Sequence, residues 1–380
     1  MSERLLAVGE APHTVGDMRG AVPQARGAVH DGRAAGAEAD LGAGSQEAAA
    51  LLDRTREAVE PELRRAVDSL PGTMRRVVAY HFGWEYADGR PASGQSGKAI
   101  RPGLVLAAAR ALGGSPTAAV KGAAAVELVH NFTLLHDDVI DRDSTRRHRP
   151  TAWTVFGDAD AILAGDALQA LALRVLADDQ HPAAGRAAAW VASCVMELCE
   201  GQHVDTALEE RSCDQVTLDE CLGVAEAKTG ALLGCACALG ALYAGAGFDE
   251  VEAMDAFGRE AGLAFQLIDD VIGIWGDPAR TGKPVGADLL AGKKSLPVVA
   301  ALTSGTAAGE ELAELYPRLG PADVGKAADA IDRAGGRDWA QAQAADRMAK
   351  AVAQLSRAVP DPEAAGGLLA LAEFVTRRSF

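Results

Sequence analysis

The stretch Leu128–Asp141, LVHNFTLLHDDVID, decides how this chain is read. An apolar run ends in an aspartate pair. The tetrapeptide Asp137–Ile140 then recurs as Asp269–Ile272, at the end of a second apolar run, AGLAFQLIDDVIG. An acidic pair on an apolar helix is costly to bury unless something neutralises it. Two such pairs point to a shared cationic partner. A divalent metal fits, and metal with paired carboxylates points to a diphosphate substrate.

On a helix, Asp137 and Asp141 lie four apart, and Asp138 and Asp141 three apart. This spacing predicts three carboxylates on one face, offering oxygens to Mg²⁺. The face upstream carries His130, Thr133 and Leu134. The competing reading, a solvated acidic helix end, sits poorly with the apolar flanks. Just downstream, DSTRRHRPT places Arg146 and Arg147 in a turn-rich stretch that can fold back over a metal-bound diphosphate. Arginine forks match phosphate oxygens, although a loop Arg-Arg alone is usually just solvated. In the second segment, Gln266, Asp269 and Asp270 share a face. Gly273 holds the third acidic position, so this copy offers one carboxylate fewer. Trp275–Pro278 reads as a helix end, with Asp277 a capping or solvated residue.

Further basic points lie elsewhere. Lys98 and Arg101 fall in GKAIRP. Lys228 and Thr229 sit inside the apolar run AEAKTGALLG, where a charge needs a reason. Lys283 and Lys293–Lys294 follow the second segment. Each is weak alone; with the two aspartate pairs they describe a cavity for two diphosphates.

Working outward, helical patterns succeed one another from about Glu47 to the end, and strand-like alternation is nearly absent. Ala and Gly are abundant and aromatic residues make up 4%, which favours helices over sheets. The fold class is therefore all-α, with one domain over residues 46–380. Residues 1 to about 45 are rich in Gly, Ala, Pro and scattered charge, lack a sustained period, and are expected to be a disordered tail. The net charge of −16 argues against nucleic acid and anionic membrane surfaces as partners. The six cysteines lack zinc spacing with histidine and are expected as buried or half-buried thiols of a reduced compartment. The start is neither basic nor followed by an apolar core, and no uninterrupted apolar segment reaches the length of a membrane span. The chain is expected to be soluble and cytoplasmic.

In order, the motifs are GKxxRP at Gly97–Pro102, ExxH…DDxxD over Glu127–Asp141, the paired arginines, GQxxD at Gly201–Asp205, KTG at Lys228–Gly230, FQxxDD at Phe265–Asp270 and GKxxxxDL at Gly282–Leu289. This ordered set resembles the trans-isoprenyl diphosphate synthases, the polyprenyl synthetase family, over about residues 50–380. The resemblance implies the isoprenoid synthase fold, with antiparallel helices around a central catalytic cavity. It implies three Mg²⁺ ions bridging Asp137, Asp141 and Asp269 to an allylic diphosphate, with Asp138 and Lys228 among the catalytic residues. Arg146, Lys228, Thr229, Gln266, Lys283 and Lys293 would hold diphosphate on that side. Lys98, Arg101, His130 and Arg147 would hold isopentenyl diphosphate. It also implies a homodimer. Arg377 and Arg378 resemble a basic end that approaches the diphosphate in relatives; a solvated end is the equal alternative.

Product length follows from bulk on the helix below the first aspartates. Phe132 and Thr133, five and four residues before Asp137 with no insertion in the motif, resemble the geranylgeranyl type. On an ideal helix Phe132 points about 140° away from Asp137, so a core role is the competing reading. A farnesyl or longer-chain synthase is the alternative. A class I terpene cyclase should carry an Asn…Ser…Glu motif and an aromatic-lined cavity, and a non-catalytic subunit should have lost its aspartates or basic residues. The long N-terminal tail resembles those of cargo enzymes of encapsulin shells. It is expected to act as a docking segment, which would place the enzyme inside a nanocompartment.

Overall fold

A computed structural model describes residues 31–92, 97–278 and 285–376, with side chains from Gln46 onward except Asp214 and Val375. The chain divides into two compact units, Met1–Gly42 and Ala43–Phe380. Helix α1 spans Asp31–Asp68, so the expected unstructured stretch is helical from Asp31. Its Ala, Glu and Leu residues favour helix even without an amphipathic period. Residues 1–30, where most of the proposed docking segment falls, lie outside the described residues, as do Lys283, Arg377 and Arg378.

The helices that build the site are α2 (Gly72–His81), α3 (Ile100–Ala111), α4 (Val120–Ile140), α5 (Ala152–Phe156), α6 (Asp158–Ala177), α7 (Ala184–Glu210), α8 (Leu218–Ala225), α9 (Ala231–Tyr243) and α10 (Phe248–Trp275). Among the described residues, six more follow: α11 (Ala287–Leu290), α12 (Leu296–Leu302), α13 (Ala307–Leu315), α14 (Val324–Arg333), α15 (Gly336–Ala358) and α16 (Pro362–Thr376). Among the described residues the only strand pair is a hairpin, β1 (Thr145–Arg146) with β2 (Arg149–Pro150).

The central post is α9, ALLGCACALGALY, every residue of which is buried. Its small residues let neighbouring backbones come close, and α3, α4, α7 and α10 pack directly against it. A Cβ on Gly258 of α10 would lie 2.3 Å from the Leu233 carbonyl oxygen, closer than van der Waals packing permits. Register along these contacts gives direction. Gly122 of α4 meets Tyr243, while Asp137, at the other end of α4, faces the charge of Lys228. Gly258 of α10 meets Leu233, and Gly262 meets Gly230. Both aspartate helices therefore run antiparallel to α9 and bring their acidic ends to its N-terminal end.

That end is a five-residue π turn, Glu226–Gly230, continuous with α8 and α9. The helix starts cleanly upstream. The Thr217 hydroxyl accepts from the Glu220 N–H at 3.3 Å, and the Glu220 carboxylate accepts from the Thr217 N–H at 3.0 Å, a capping box. The continuous run Leu218–Tyr243 is long and apolar enough by length and composition to cross a membrane; its most apolar 18-residue window has mean hydropathy 1.3 and is 67% buried within the fold. Glu226 and Lys228 interrupt its apolar letters but not the helix, so it leaves standing the expectation about uninterrupted apolar residues. The cysteines are free thiols. Cys199 is exposed, unlike the buried or half-buried positions expected.

Candidate active site

The acidic end of α4 does not put three carboxylates on one face. Adjacent helical residues point about 100° apart, and the structure separates Asp137 from Asp138. Asp137 is half-buried and Asp141, the residue closing the helix, is exposed. Asp138 is 1% exposed and turns into the wall, where it accepts from Arg146 Nε at 2.7 Å. Burial raises the Asp137 carboxyl to about 6, with Asp141 adding to the rise and Lys228 opposing it. Burial also raises Asp141, again against Lys228. Lys228, on the π turn, donates to Asp205. Its ammonium thus stands before three carboxylates, those of Asp137, Asp141 and Asp205.

The second segment repeats the division. Asp270 is 3% exposed and fully engaged: Lys293 Nζ and Gln266 Nε2 each donate to Oδ1 at 2.9 Å, and the Leu296 N–H donates to Oδ2 at 3.0 Å. Asp269 is half-buried. Gln266 also accepts from the Thr229 hydroxyl at 2.9 Å. The π turn therefore reaches both acidic segments, through the Lys228 charge on one side and the Thr229 hydroxyl on the other. Short π turns inside α-helices often mark functional positions. Lys294 points away and caps the last carbonyls of α7, donating to Leu208 O and Glu209 O, each at 2.9 Å.

A cavity of about 230 Å³ adjoins α3 and α4, lined by Lys98, Arg101, Glu127, His130, Arg147 and Phe265, among others. Arg101 Nη1 and His130 Nε2 are 3.2 Å apart. Burial, with Arg101 and Arg147 nearby, holds the His130 imidazole well below its usual pKa, so the ring is neutral and can accept from the guanidinium. Burial pushes Glu127 up to about 7 against the pull of Arg101 and an Asn131 hydrogen bond. A second cavity of about 100 Å³ lies behind, lined by Tyr80, His81, Asp138, Arg146 and Arg149, among others; Arg147 lines both cavities.

Backbone strain gathers here. Among the described residues, the non-glycines with positive φ are Ala99 (54°), Arg142 (56°), Arg147 (51°) and His148 (61°). Each left-handed residue costs roughly 1–2 kcal/mol. Arg147 and His148 form the two-residue tip of the β1–β2 hairpin, a position that usually takes Asn-Gly. Strain of this kind persists where surrounding structure overrides it, characteristically at binding sites. Here it aims Arg147 at the larger cavity.

Phe132 is buried in the main core and meets His136 edge-on, ring centroids 5.0 Å apart. It lines neither of these cavities. Thr133 is half-buried, and its hydroxyl donates to His130 O at 2.8 Å. Sequence reasoning picked out neither Asp205 nor Asp288 as an individual site residue. Both stood inside motifs, GQxxD and GKxxxxDL, whose aspartates carried no helical pairing signal of their own.

Together the fold and the site define an all-helical protein with two acidic segments at one end of α9 and a basic-lined cavity nearby. The polyprenyl synthetase family profile matches residues 90–333, and the chain belongs to that family. Two relatives come from Mycobacterium tuberculosis. One, named geranylgeranyl diphosphate synthase, is 48% identical over 87% of this chain and 93% of its own length. The other, named (2E,6E)-farnesyl diphosphate synthase, is 46% identical over 86% of this chain and 92% of its own. A polyprenyl synthetase from Streptomyces coelicolor superposes with TM-score 0.82 at 45% identity, covering 86% of this chain and 98% of that one. A polyprenyl synthase from Caulobacter crescentus, solved with calcium and isoprenyl diphosphate, gives TM-score 0.72 at 30% identity, covering 87% and 98%. The chain is a prenyltransferase of the short-chain trans-prenyl diphosphate synthase class.

Proposed function

We propose that this enzyme condenses isopentenyl diphosphate with an allylic diphosphate in a Mg²⁺-dependent reaction, giving geranylgeranyl diphosphate. The observation that carries the reading is the π turn, whose Lys228 and Thr229 reach both acidic segments at once. Carboxylate oxygens suit a hard divalent ion. Asp137, raised to about 6 by burial, is a carboxylate that a cation would relieve. Among the described residues no three His, Cys, Asp or Glu side chains converge enough to hold an ion by themselves. Asp137, Asp141 and Asp269 would hold three ions only with diphosphate oxygens completing the coordination. When bound, the metal supplies Lewis acidity at the departing diphosphate.

The side chains do the rest. Lys228, Thr229 and Gln266 orient the allylic diphosphate between the segments, with Lys283 as a further holder outside the described residues. Lys98, Arg101, His130 and Arg147 hold isopentenyl diphosphate in the larger cavity. Arg146 and Lys293 are further holders on the allylic diphosphate side, and they also fix Asp138 and Asp270. The allylic C–O bond breaks and its electrons leave on the diphosphate. The isopentenyl double bond forms the new C–C bond. The departing diphosphate takes the proton lost from the product. Turnover assays with isopentenyl diphosphate and dimethylallyl, geranyl or farnesyl diphosphate, with and without Mg²⁺, test this. No product from any primer with Mg²⁺ overturns it.

Two further expectations belong here. A homodimer is supported by Leu163 on α6 and Met196 on α7, which are 53% and 68% exposed. Light scattering should give twice the chain mass, and a monomer mass contradicts it. The proposal that the N-terminal segment docks into an encapsulin shell rests on an Ala/Gly/Pro-rich stretch upstream of the family match. Deleting residues 1–45 should abolish co-purification with shell protein, and unchanged co-purification rules this out.

A further inference from the structure

The strained hairpin tip at Arg147–His148 has little support from its own ladder. Strands β1 and β2 pair Thr145 with Pro150 and Arg146 with Arg149, and nothing more. Pro150 has no N–H to donate, and an isolated two-stranded hairpin is marginal in water. Yet both tip residues keep a left-handed backbone, at φ 51° and 61°, which side chains with a Cβ resist. The tip also holds its aim. A Cβ built on Gly97 would lie 2.9 Å from Arg147 Nη2, so the guanidinium lies against the segment that carries Lys98, beside the larger cavity.

Support comes from α2. Tyr80, in the last turn of that helix and 6% exposed, donates its hydroxyl to Pro150 O at 2.8 Å. In the other direction, Arg149 donates from Nη1 to Tyr80 O at 3.2 Å and from Nη2 to Glu85 O at 3.0 Å. Its guanidinium carbon stands 4.5 Å from the centre of the Tyr80 ring. A cation at the C-terminal end of a helix suits the partial negative charge of the last carbonyls. Phe156 meets the Tyr80 ring edge-on, centroids 5.3 Å apart, and fixes it in turn. Two side chains 69 residues apart in the chain thus clasp α2 and β2 both ways. Each such hydrogen bond contributes about as much as one left-handed residue costs, so the clasp is matched to the strain at the tip. Arg146, opposite Arg149 in the ladder, is held separately by Asp138.

We propose that Tyr80 and Arg149 are positioning residues for isopentenyl diphosphate. They latch the hairpin to α2 and so keep Arg147 in its left-handed, cavity-facing conformation. Neither side chain lines the larger cavity; both line the smaller one behind it. They act through Arg147, and the inference rests on the reading above that Arg147 holds isopentenyl diphosphate.

Steady-state kinetics of the full-length enzyme with Mg²⁺, each substrate varied in turn, test the latch. Tyr80→Phe removes only the bond to Pro150 O and should raise KM for isopentenyl diphosphate about fivefold. Arg149→Met removes two charge-assisted bonds and should raise it about 10-fold or more. KM for the allylic diphosphate should stay within about twofold in both, because binding energy is lost on one side only. Glycine takes a left-handed backbone without strain. Adding His148→Gly to Tyr80→Phe should therefore return KM for isopentenyl diphosphate to within about twofold of wild type, a rescue that general loss of stability would not show. An unchanged KM for isopentenyl diphosphate in both variants, an equal rise for both substrates, or no rescue by His148→Gly overturns the inference. Arg147→Gln with an unchanged KM for isopentenyl diphosphate would instead overturn the reading of the larger cavity, so the two failures are distinguishable.

Discussion

The same four residues lie in the last turns of two helices, and their surroundings differ. At the end of α4, Asp138 is locked by Arg146, eight residues downstream on a strained hairpin. At the end of α10, Asp270 is locked by Lys293, 23 residues downstream and beyond α11. In both copies the first aspartate stays toward the site and the second enters the wall. The repeat is therefore a division of labour. One carboxylate stays half-buried, where the proposed reaction would use it for a cation, and its neighbour anchors a downstream basic segment. The copies part at the third position, where Asp141 caps the first helix and Gly273 lies within the second, its open side facing Asp288.

The largest effect expected is on turnover. Asp137→Ala and Asp269→Ala should each lower kcat by roughly 10³-fold or more, since each removes a link to the leaving group. Near-wild-type kcat in either would break the division. Asp270→Ala should instead cost stability, about 2–4 kcal/mol, because it strands Lys293 and the Leu296 N–H. Urea denaturation measures this, and an unchanged midpoint would place Asp270 with the site-facing residues.

A smaller effect concerns pH. Glu127 is buried with its pKa raised to about 7. The folded state then binds more protons than the unfolded state between the usual carboxyl range and about 7. Its contribution therefore falls as pH rises through that window. His81, pushed down to about 3 by burial and by Arg147 and Arg146, acts with the opposite sign below its ordinary pKa. Comparison with Glu127→Gln isolates the carboxyl. The variant's stability relative to wild type should grow from pH 5 to pH 8, by up to about 3 kcal/mol; a pH-independent difference removes the claim. The smallest effect expected is on product distribution. Phe132→Ala should lengthen the product if Phe132 floors the chain cavity. Its core packing against His136 makes an unchanged distribution the result that would move the floor elsewhere.

Much of this was legible in the chain itself. Apolar runs ending in aspartates marked both helix ends, and Lys228 in an apolar run signalled a purpose that the π turn supplies. The separation of Asp137 from Asp138 was obscured because two spacings, three and four, both satisfy a helical face for Asp141. Only packing decides which carboxylate enters the wall. Asp205 and Asp288 were illegible for a different reason: their contacts lie far along the chain, with Lys228 and with the open side of Gly273. Residues 31–45 read as unstructured because helix propensity without a hydrophobic period leaves no amphipathic signal.

The division between the paired aspartates is tested most directly by measuring Asp137→Asn and Asp138→Asn side by side, each for kcat with Mg²⁺ and for melting temperature in chelator at pH 7.5. Asp137→Asn removes a carboxylate that burial penalises; it should melt at or above wild type, while kcat falls by roughly 10³-fold. Asp138→Asn breaks the Arg146 pair and should melt several degrees lower, with the smaller loss in kcat. The reverse pattern, a destabilised Asp137→Asn with near-normal kcat and a stable, inactive Asp138→Asn, would contradict the account.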